Sequence, residues 1–321
     1  MKAIICHEFG PLQDLSWEEV ADPLPGPDEV LIATEAAGVN FPDGLLVQGL
    51  YQSRPDRPFT PGMEVAGRIE AVGEGVSLAL GTRVLAAVSM GGYAEKAICA
   101  ADRVMEIPEG MDAAEACALL VAYGTSHHAL KQRGALQAGE WLMIFGAAGA
   151  TGIAAIQLGK VMGAKVIAVC STEEKRALAL DSGADHAIGY DDLKAQVRDL
   201  TEGHGVDVLY DPVGGAAFDA GCRCMARNGR LLVIGFASGE IPKFPVNLAL
   251  VKEFAVVGVF WGNWTRAEPG AYRANMAELL GWYAAGQVKP VIEGRYKLSE
   301  AAEVLTRVLS RGATGKIALV P

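Results

Sequence analysis

The sequence predicts an α/β protein in which a β-rich part is joined to a doubly wound parallel sheet. Three observations carry this expectation. The first ~120 residues run as short strand-like segments broken by Gly and Pro. From about Met111 onward, continuous apolar strands alternate with helices. An uncharged glycine turn sits where one of those strands meets a helix.

In the first part the clearest strands are 29–39 (EVLIATEAAGV), 64–73 (EVAGRIEAVG), 83–88 (RVLAAV) and 93–99 (YAEKAIC). PLPGPDE from Pro23, GEGV from Gly73 and MGGY from Met90 separate them, a spacing that suits a compact barrel or sandwich. In the second part WLMIF (141–145) and KVIAV (165–169) are short strands with an Ala-rich helix, 150–162, between them. A helix at 172–182, a strand at 186–189, a helix at 192–201 and the strand VDVLYD (206–211) follow. A helix at 216–226 and the strands RLLVIG (230–235) and FAVVGVF (254–260) complete the alternation. Strands that are apolar throughout belong to a parallel sheet covered on both faces. Beyond Trp264 two helices, 270–285 and 299–310, lie between short strands near Val291 and at 316–320.

A chain of 321 residues is long for one core, so two domains are expected. Hydrophobic residues make up 51%, which suits buried strands and excludes a disordered chain. The formal charge of −10 repels phosphate backbones and anionic membranes, which argues against generic nucleic-acid or lipid binding. Cys6, Cys99, Cys117, Cys170, Cys222 and Cys224 are scattered, as free, reduced, mostly buried thiols would be. The first residues lack a basic region followed by an apolar core, and no apolar run approaches the ~18 residues of a membrane span. The cytoplasm is the expected compartment.

The glycine turn is FGAAGATG, residues 145–152. Read as A-x-G-x-x-G, it puts Ala147, Gly149 and Gly152 at the dinucleotide fingerprint positions, with Ala departing from the usual first Gly. Gly149 would let a pyrophosphate approach the backbone, and Gly152 would let the helix pack closely on its strand. The competing reading is a helix that needs small residues only to cross a sheet. About 20 residues beyond such a turn an acid usually grips the ribose of NAD. Here the second strand ends in AVCSTEEK, whose tip, Cys170-Ser171-Thr172, has no carboxylate. Ser171, Thr172 and Lys175, with Arg176 nearby, would welcome a 2′-phosphate, so NADPH is the expected cofactor. Taken alone, Lys175 reads equally as a solvated helix residue.

Four segments now define a resemblance: the run from Gly146 to Lys175, DVLYDPVGG (207–215), NGRLLVIGFASG (228–239) and FTPGMEVAGRIEAVGEGV (59–76). The chain resembles the zinc-independent, zeta-crystallin-like quinone oxidoreductases of the medium-chain dehydrogenase/reductase superfamily, from MKAIICHEFG to the terminal GATGKIALVP. The resemblance implies a GroES-like substrate domain at 1–120, a Rossmann NADPH-binding domain at 121–262 and a return to the substrate domain at 263–321. Cofactor and substrate would meet in the cleft between them. By position, Ala148, Gly149, Ala150 and Thr151 would approach the pyrophosphate, and Ser171, Lys175 and Tyr190 the adenosine phosphate. Thr125, Gly235, Phe236 and the strand end from Val259 to Trp261 would lie near the nicotinamide.

The zinc-dependent branch carries a His where this chain has Pro61-Gly62-Met63-Glu64, and a Cys where GVNFPDG places Asn40. Methionine is a poor zinc ligand and no structural four-cysteine lobe is present, so no metal is expected. Without a Lewis acid, a quinone or α,β-unsaturated carbonyl is the suitable acceptor, because conjugation spreads the charge of an incoming hydride. Asn40 and Tyr51 flank the segment that replaces the metal ligands and are the catalytic candidates, with Asp43 as an organiser of that loop. Tyr51 reads equally as an aromatic packed against RPDRPF. His127 and His128 point to different helix faces and are left out of the catalytic set. An NADPH-dependent quinone reductase leads. An enone or enoyl-thioester reductase, and a non-catalytic NADPH-binding structural or RNA-binding protein, are the alternatives. The apolar 253–261 stretch, placed at a sheet edge, would pair across a two-fold axis and give a homodimer.

Overall fold

The computed structural model describes all 321 residues, which form two compact units: Met1–Val121 with Val291–Pro321, and Ala122–Pro290. The chain returns to the first unit at Val291, not at 263. The reason is non-local: the helix Pro269–Ala284 is held to 124–133 by pairs such as His127 Nε2 with Glu278 Oε2 (2.7 Å) and Gln132 Nε2 with Asn275 Oδ1 (2.9 Å).

The first unit is built on a seven-stranded sheet, ordered Ile292–Lys297, Lys316–Val320, Glu29–Gly38, Glu64–Val72, Arg83–Ala87, Val104–Glu106, with Lys96–Ala100 also paired to Glu29–Gly38. The two C-terminal strands pair in parallel; the other pairings are antiparallel. Glu29–Gly38 serves three neighbours because register breaks at Leu31/Ile32 and Thr34/Ala36 bend it between partners. Its inward residues Val30 and Ile32 join Ile69, Val84, Tyr93, Leu305 and Ile317 in one apolar core. A smaller antiparallel pair, Lys2–Ile5 with Ser16–Glu19, completes the strands.

The second unit is a six-stranded sheet, parallel throughout, in the order His186–Ile188, Lys165–Val169, Trp141–Phe145, Val206–Asp211, Met225–Val233, Ala255–Gly258. Starting the count at Trp141–Phe145, this is the 3-2-1-4-5-6 order of a Rossmann sheet. Helices Ala150–Val161, Glu173–Asp181, Leu193–Leu200 and Gly215–Cys224 make the crossovers. Met143, Phe145, Ile167, Val169, Leu209 and Leu231 fill its core with almost no exposed surface. The last strand is shorter than the apolar run suggests: pairing to Arg230–Val233 stops at Gly258, and Trp261 opens a helix, Trp261–Ala267. Val259 and Trp261 are therefore a strand-to-helix junction rather than a strand end. All six cysteines are buried and free, and no helix is long and apolar enough to cross a membrane.

Candidate active site

The glycine turn leaves the sheet at Gly146, whose φ of +55° an L side chain rarely adopts. Its N–H donates to the Tyr190 hydroxyl (3.0 Å) and its carbonyl accepts from Gly149 N (3.0 Å). Gly149 then caps the helix Ala150–Val161 with no side-chain acceptor of its own. The first-turn N–H groups of Ala150 and Thr151 have no intrahelical partner, and together with the helix dipole they make a seat for an anion. The two glycines do different work. A Cβ on Gly152 would stand 2.5 Å from the Gly146 carbonyl oxygen and 2.7 Å from Ala147 Cα, so packing alone requires glycine there. A Cβ on Gly149 would meet nothing nearer than the Gly146 oxygen at 3.4 Å. Packing does not demand glycine at 149, and the cradle its missing side chain leaves fits a pyrophosphate.

The neighbouring strand Lys165–Val169 ends at buried Cys170, followed by exposed Ser171 and Thr172. Thr172 Oγ1 caps the helix Glu173–Asp181 by accepting from Lys175 N (3.3 Å), which holds half-buried Lys175 in the first turn. The first acid after the tip, Glu173, is bonded to Arg176 at 2.5 Å. Arg176 also reaches the next strand's end, where a Cβ on Gly189 would lie 3.7 Å from its Nη1. Serine hydroxyl, ammonium and guanidinium therefore collect at one tip. Tyr190, expected at the adenosine phosphate, also supports the turn: its hydroxyl accepts from Gly146 N, and its ring lies 5.7 Å from that of Phe145. Ala148, expected to approach the pyrophosphate, is buried in the turn just before Gly149.

Ligands of such sheets bind where the strand order reverses, beyond the C-terminal strand ends. There Asp211, 1% exposed, accepts from Val213 N (2.8 Å) and Gly214 N (2.9 Å); burial pushes its carboxyl up while these bonds pull it down. The Asp211 carbonyl accepts from Ile234 N (2.9 Å), and Phe236 packs on Gly214, which fixes Gly235 and Phe236 at this end. Thr125 is half-buried on the helix Gly124–His128. The indole of Trp261 covers Gly124, and Ser126 reaches the Thr151 carbonyl (2.9 Å). Val259 N donates to Val233 O (3.0 Å). Both histidines are structural: His127 is bonded to Glu278, and His128 stacks on Trp264 with ring centroids 4.1 Å apart.

In the first unit a buried polar cluster surrounds Asn40. The carboxylate of Glu64 and the ammonium of Lys316, both almost fully buried, form an ion pair. Lys316 Nζ also donates to Asn40 Oδ1 (2.7 Å), and Asn40 Nδ2 donates to Glu64 Oε1 (3.0 Å). Val121 N takes the other Glu64 oxygen (3.0 Å). Gly38 makes the space, since a Cβ there would overlap Glu64 Oε1 at 1.9 Å. Both ends of the Asn40 amide are thus bonded inside the protein, which fixes the side chain expected to offer a polar contact to the substrate oxygen or the nicotinamide ribose. Asp43 organises the loop as anticipated: its Oδ2 accepts from Asn40 N (2.8 Å) and from the Tyr93 hydroxyl (2.7 Å). Burial drives the Asp43 carboxyl up to about 7 against these two bonds and the Lys316 charge. Tyr51 is half-buried in the turn after the helix Phe41–Val47. Sequence reasoning missed Glu64, Tyr93, Lys316, Ser126 and Tyr210; the one available signal was Lys316, a charge heading the otherwise apolar strand Lys316–Val320.

Comparison with known proteins agrees with this geometry. Residues 26–109 match the alcohol dehydrogenase GroES-like domain family and residues 150–281 the zinc-binding dehydrogenase family. The chain is 37% identical over 322 residues to quinone oxidoreductase-like protein 2 of Bos taurus, spanning 99% of this chain and 92% of the bovine one. It is 31% identical over 326 residues to the quinone oxidoreductase of Homo sapiens, spanning 100% and 98%. The crystal structure of Escherichia coli quinone oxidoreductase complexed with NADPH has a TM-score of 0.92 at 27% identity, covering 100% of both chains. A GroES-like unit followed by a Rossmann sheet with this turn defines an oxidoreductase of the medium-chain dehydrogenase/reductase superfamily. Within that superfamily, the chain belongs to the quinone oxidoreductase family.

Proposed function

We propose that this oxidoreductase uses NADPH to reduce quinones by hydride transfer, without zinc. The observation that carries the proposal is the uncapped, glycine-opened helix start beside an acid-free strand tip holding Ser171, Lys175 and Arg176. A 2′-phosphate is matched there by a cation and hydroxyl, where NAD-selective sites present a carboxylate. The cofactor, when bound, supplies the hydride. The amides of Ala150 and Thr151 hold the pyrophosphate, Thr125, Gly235 and Phe236 orient the nicotinamide end, and Tyr51 offers a polar contact to the acceptor oxygen. A quinone accepts one hydride and one proton to become a hydroquinone, and its conjugated ring spreads the charge.

Zinc does not fit the residues present. Met63 is a poor ligand, Glu64 is neutralised by the Lys316 ammonium, and Asn40 Oδ1 already accepts from the same ammonium. A divalent cation at these residues would meet a fixed positive charge. Steady-state NADPH oxidation with 1,4-benzoquinone, an alkenal and a short enoyl-CoA tests the proposal. Turnover fastest with the quinone is expected; preference for the alkenal or thioester would move the enzyme to the enone reductases. Tight NADPH binding with no turnover of any acceptor would point to a non-catalytic role.

We also propose a cytoplasmic homodimer. Six free thiols suit a reducing compartment. The strand Ala255–Gly258 is an unpaired sheet edge, and Ile241, Val246, Leu250, Val251 and Phe260 are exposed in the same stretch of chain. Light scattering at micromolar concentration that returned the mass of one chain would refute the dimer.

A further inference from the structure

Two hydroxyl groups meet beneath the glycine turn, and neither belongs to the ligand contacts described above. Ser126 and Tyr210 are both fully buried, with Ser126 Oγ 2.9 Å from the Tyr210 hydroxyl. The same Oγ lies 2.9 Å from the Thr151 carbonyl and 2.9 Å from the Ala122 carbonyl. Tyr210 is locked in register between Ile144 and Leu232 of the adjoining strands, so the sheet fixes its phenol. Each hydroxyl has one proton to give. With Tyr210 donating to Ser126, and Ser126 sharing its one proton between the two carbonyls, the order runs head to tail, and such chains strengthen cooperatively.

A buried tyrosine needs a partner merely to be satisfied. The placement of this chain goes further. The Thr151 carbonyl that Ser126 holds lies in the helix turn whose amides seat the pyrophosphate, and Ser126 itself is adjacent to Thr125 at the nicotinamide end.

We propose that Tyr210 is a positioning residue for the dinucleotide, fixing the spacing between the phosphate seat at 150–152 and the helix that carries Thr125. This rests on the NADPH reading given above. Preorganised spacing lets one ligand engage both places without ordering them at its own cost. The adenosine end, held by Ser171 and Lys175, lies outside the chain of hydroxyls and owes it nothing.

Tyr210→Phe removes the phenol oxygen and keeps the ring in the core. Titration calorimetry would compare NADPH with adenosine 2′-monophosphate, which carries only the adenosine end. NADPH is expected to weaken about five- to tenfold, the scale of one neutral hydrogen bond, while the monophosphate changes by less than about twofold. Ser126→Ala is expected to give the same split and carries the test alone if the phenylalanine variant does not fold. The double variant should be no weaker than the worse single one, because both cut the same chain. Equal losses for the two ligands, no loss for NADPH, or additive losses would each overturn the assignment. A wild-type chain that bound neither ligand would remove the cofactor reading itself, and this assignment with it, before any substitution was made.

Discussion

Asp43 provides the most quantitative prediction. Its carboxyl is fully buried, one oxygen taken by Asn40 N and Tyr93 OH, the other without a hydrogen-bond partner. In the unfolded chain the group titrates at its ordinary 3.8; in the folded chain it titrates at about 7. Between these values the native state holds a proton that the unfolded state has released, so stability falls as pH rises through the window. The gap corresponds to about 4 kcal/mol, a large share of the 5–15 kcal/mol that holds a typical domain. Surface acids of opposite sense, such as Asp22, held down to about 2 by Lys96 and the N-terminal ammonium, act below this window. Asp43→Asn keeps an oxygen for both donors and removes the ionisation. Urea unfolding at a series of pH values from 4.5 to 8 would follow wild type and variant. The wild type should lose stability across the window and level off above pH 7, and the variant should lose far less. Parallel curves for the two proteins would refute the claim that this carboxyl is neutral at low pH and strained when charged.

Three further outcomes follow from the same contacts. Gly152→Ala forces a Cβ to within 2.5 Å of the Gly146 carbonyl, and the shifted turn should weaken NADPH at least about tenfold by calorimetry. Ser171→Asp combined with Lys175→Glu places carboxylates at the strand tip, and the kcat/KM ratio of NADPH to NADH should fall by about 100-fold or more. Lys316→Met strands the Glu64 charge and should cost about 3–5 kcal/mol of unfolding free energy, most of it recovered when Glu64→Gln is added.

The parts of the fold legible in the sequence were those with a local signature. The strands Trp141–Phe145, Lys165–Val169, Val206–Asp211 and Lys316–Val320 fall where their apolar runs begin and end, because polar or turn residues bracket each run. Residues 254–260 form an equally apolar run, yet only Ala255–Gly258 pairs; where a strand stops depends on its neighbour, here Arg230–Val233. The domain return escaped for the same reason: His127 finds Glu278 across 151 residues of sequence. At the site the glycine turn was readable because backbone geometry leaves its mark as small residues at fixed spacing. The cluster around Asn40 was not, since Lys316 lies 276 residues from it and no local pattern links them.

The two units bury polarity in contrasting ways, and the contrast bears on function. In the first, the Glu64 and Lys316 charges close on each other and Asn40, Asp43 and Tyr93 bond around them, with Asp43 Oδ1 left without a partner. Removing either partner of the Glu64–Lys316 pair leaves an uncompensated buried charge, so this pair is a stability device. In the second, the buried groups beneath the turn are neutral hydroxyls that hold backbone in place, while the amides above them at Ala150 and Thr151 keep donors that the helix cannot satisfy. A protein that closes its charged network in one unit and leaves backbone donors open in the other has specified where an anionic ligand completes the structure. Binding there should add stability by mass action to the second unit, so NADPH should raise the unfolding midpoint of wild type and far less that of Gly152→Ala, while Asp43→Asn should leave the cofactor-induced increment unchanged.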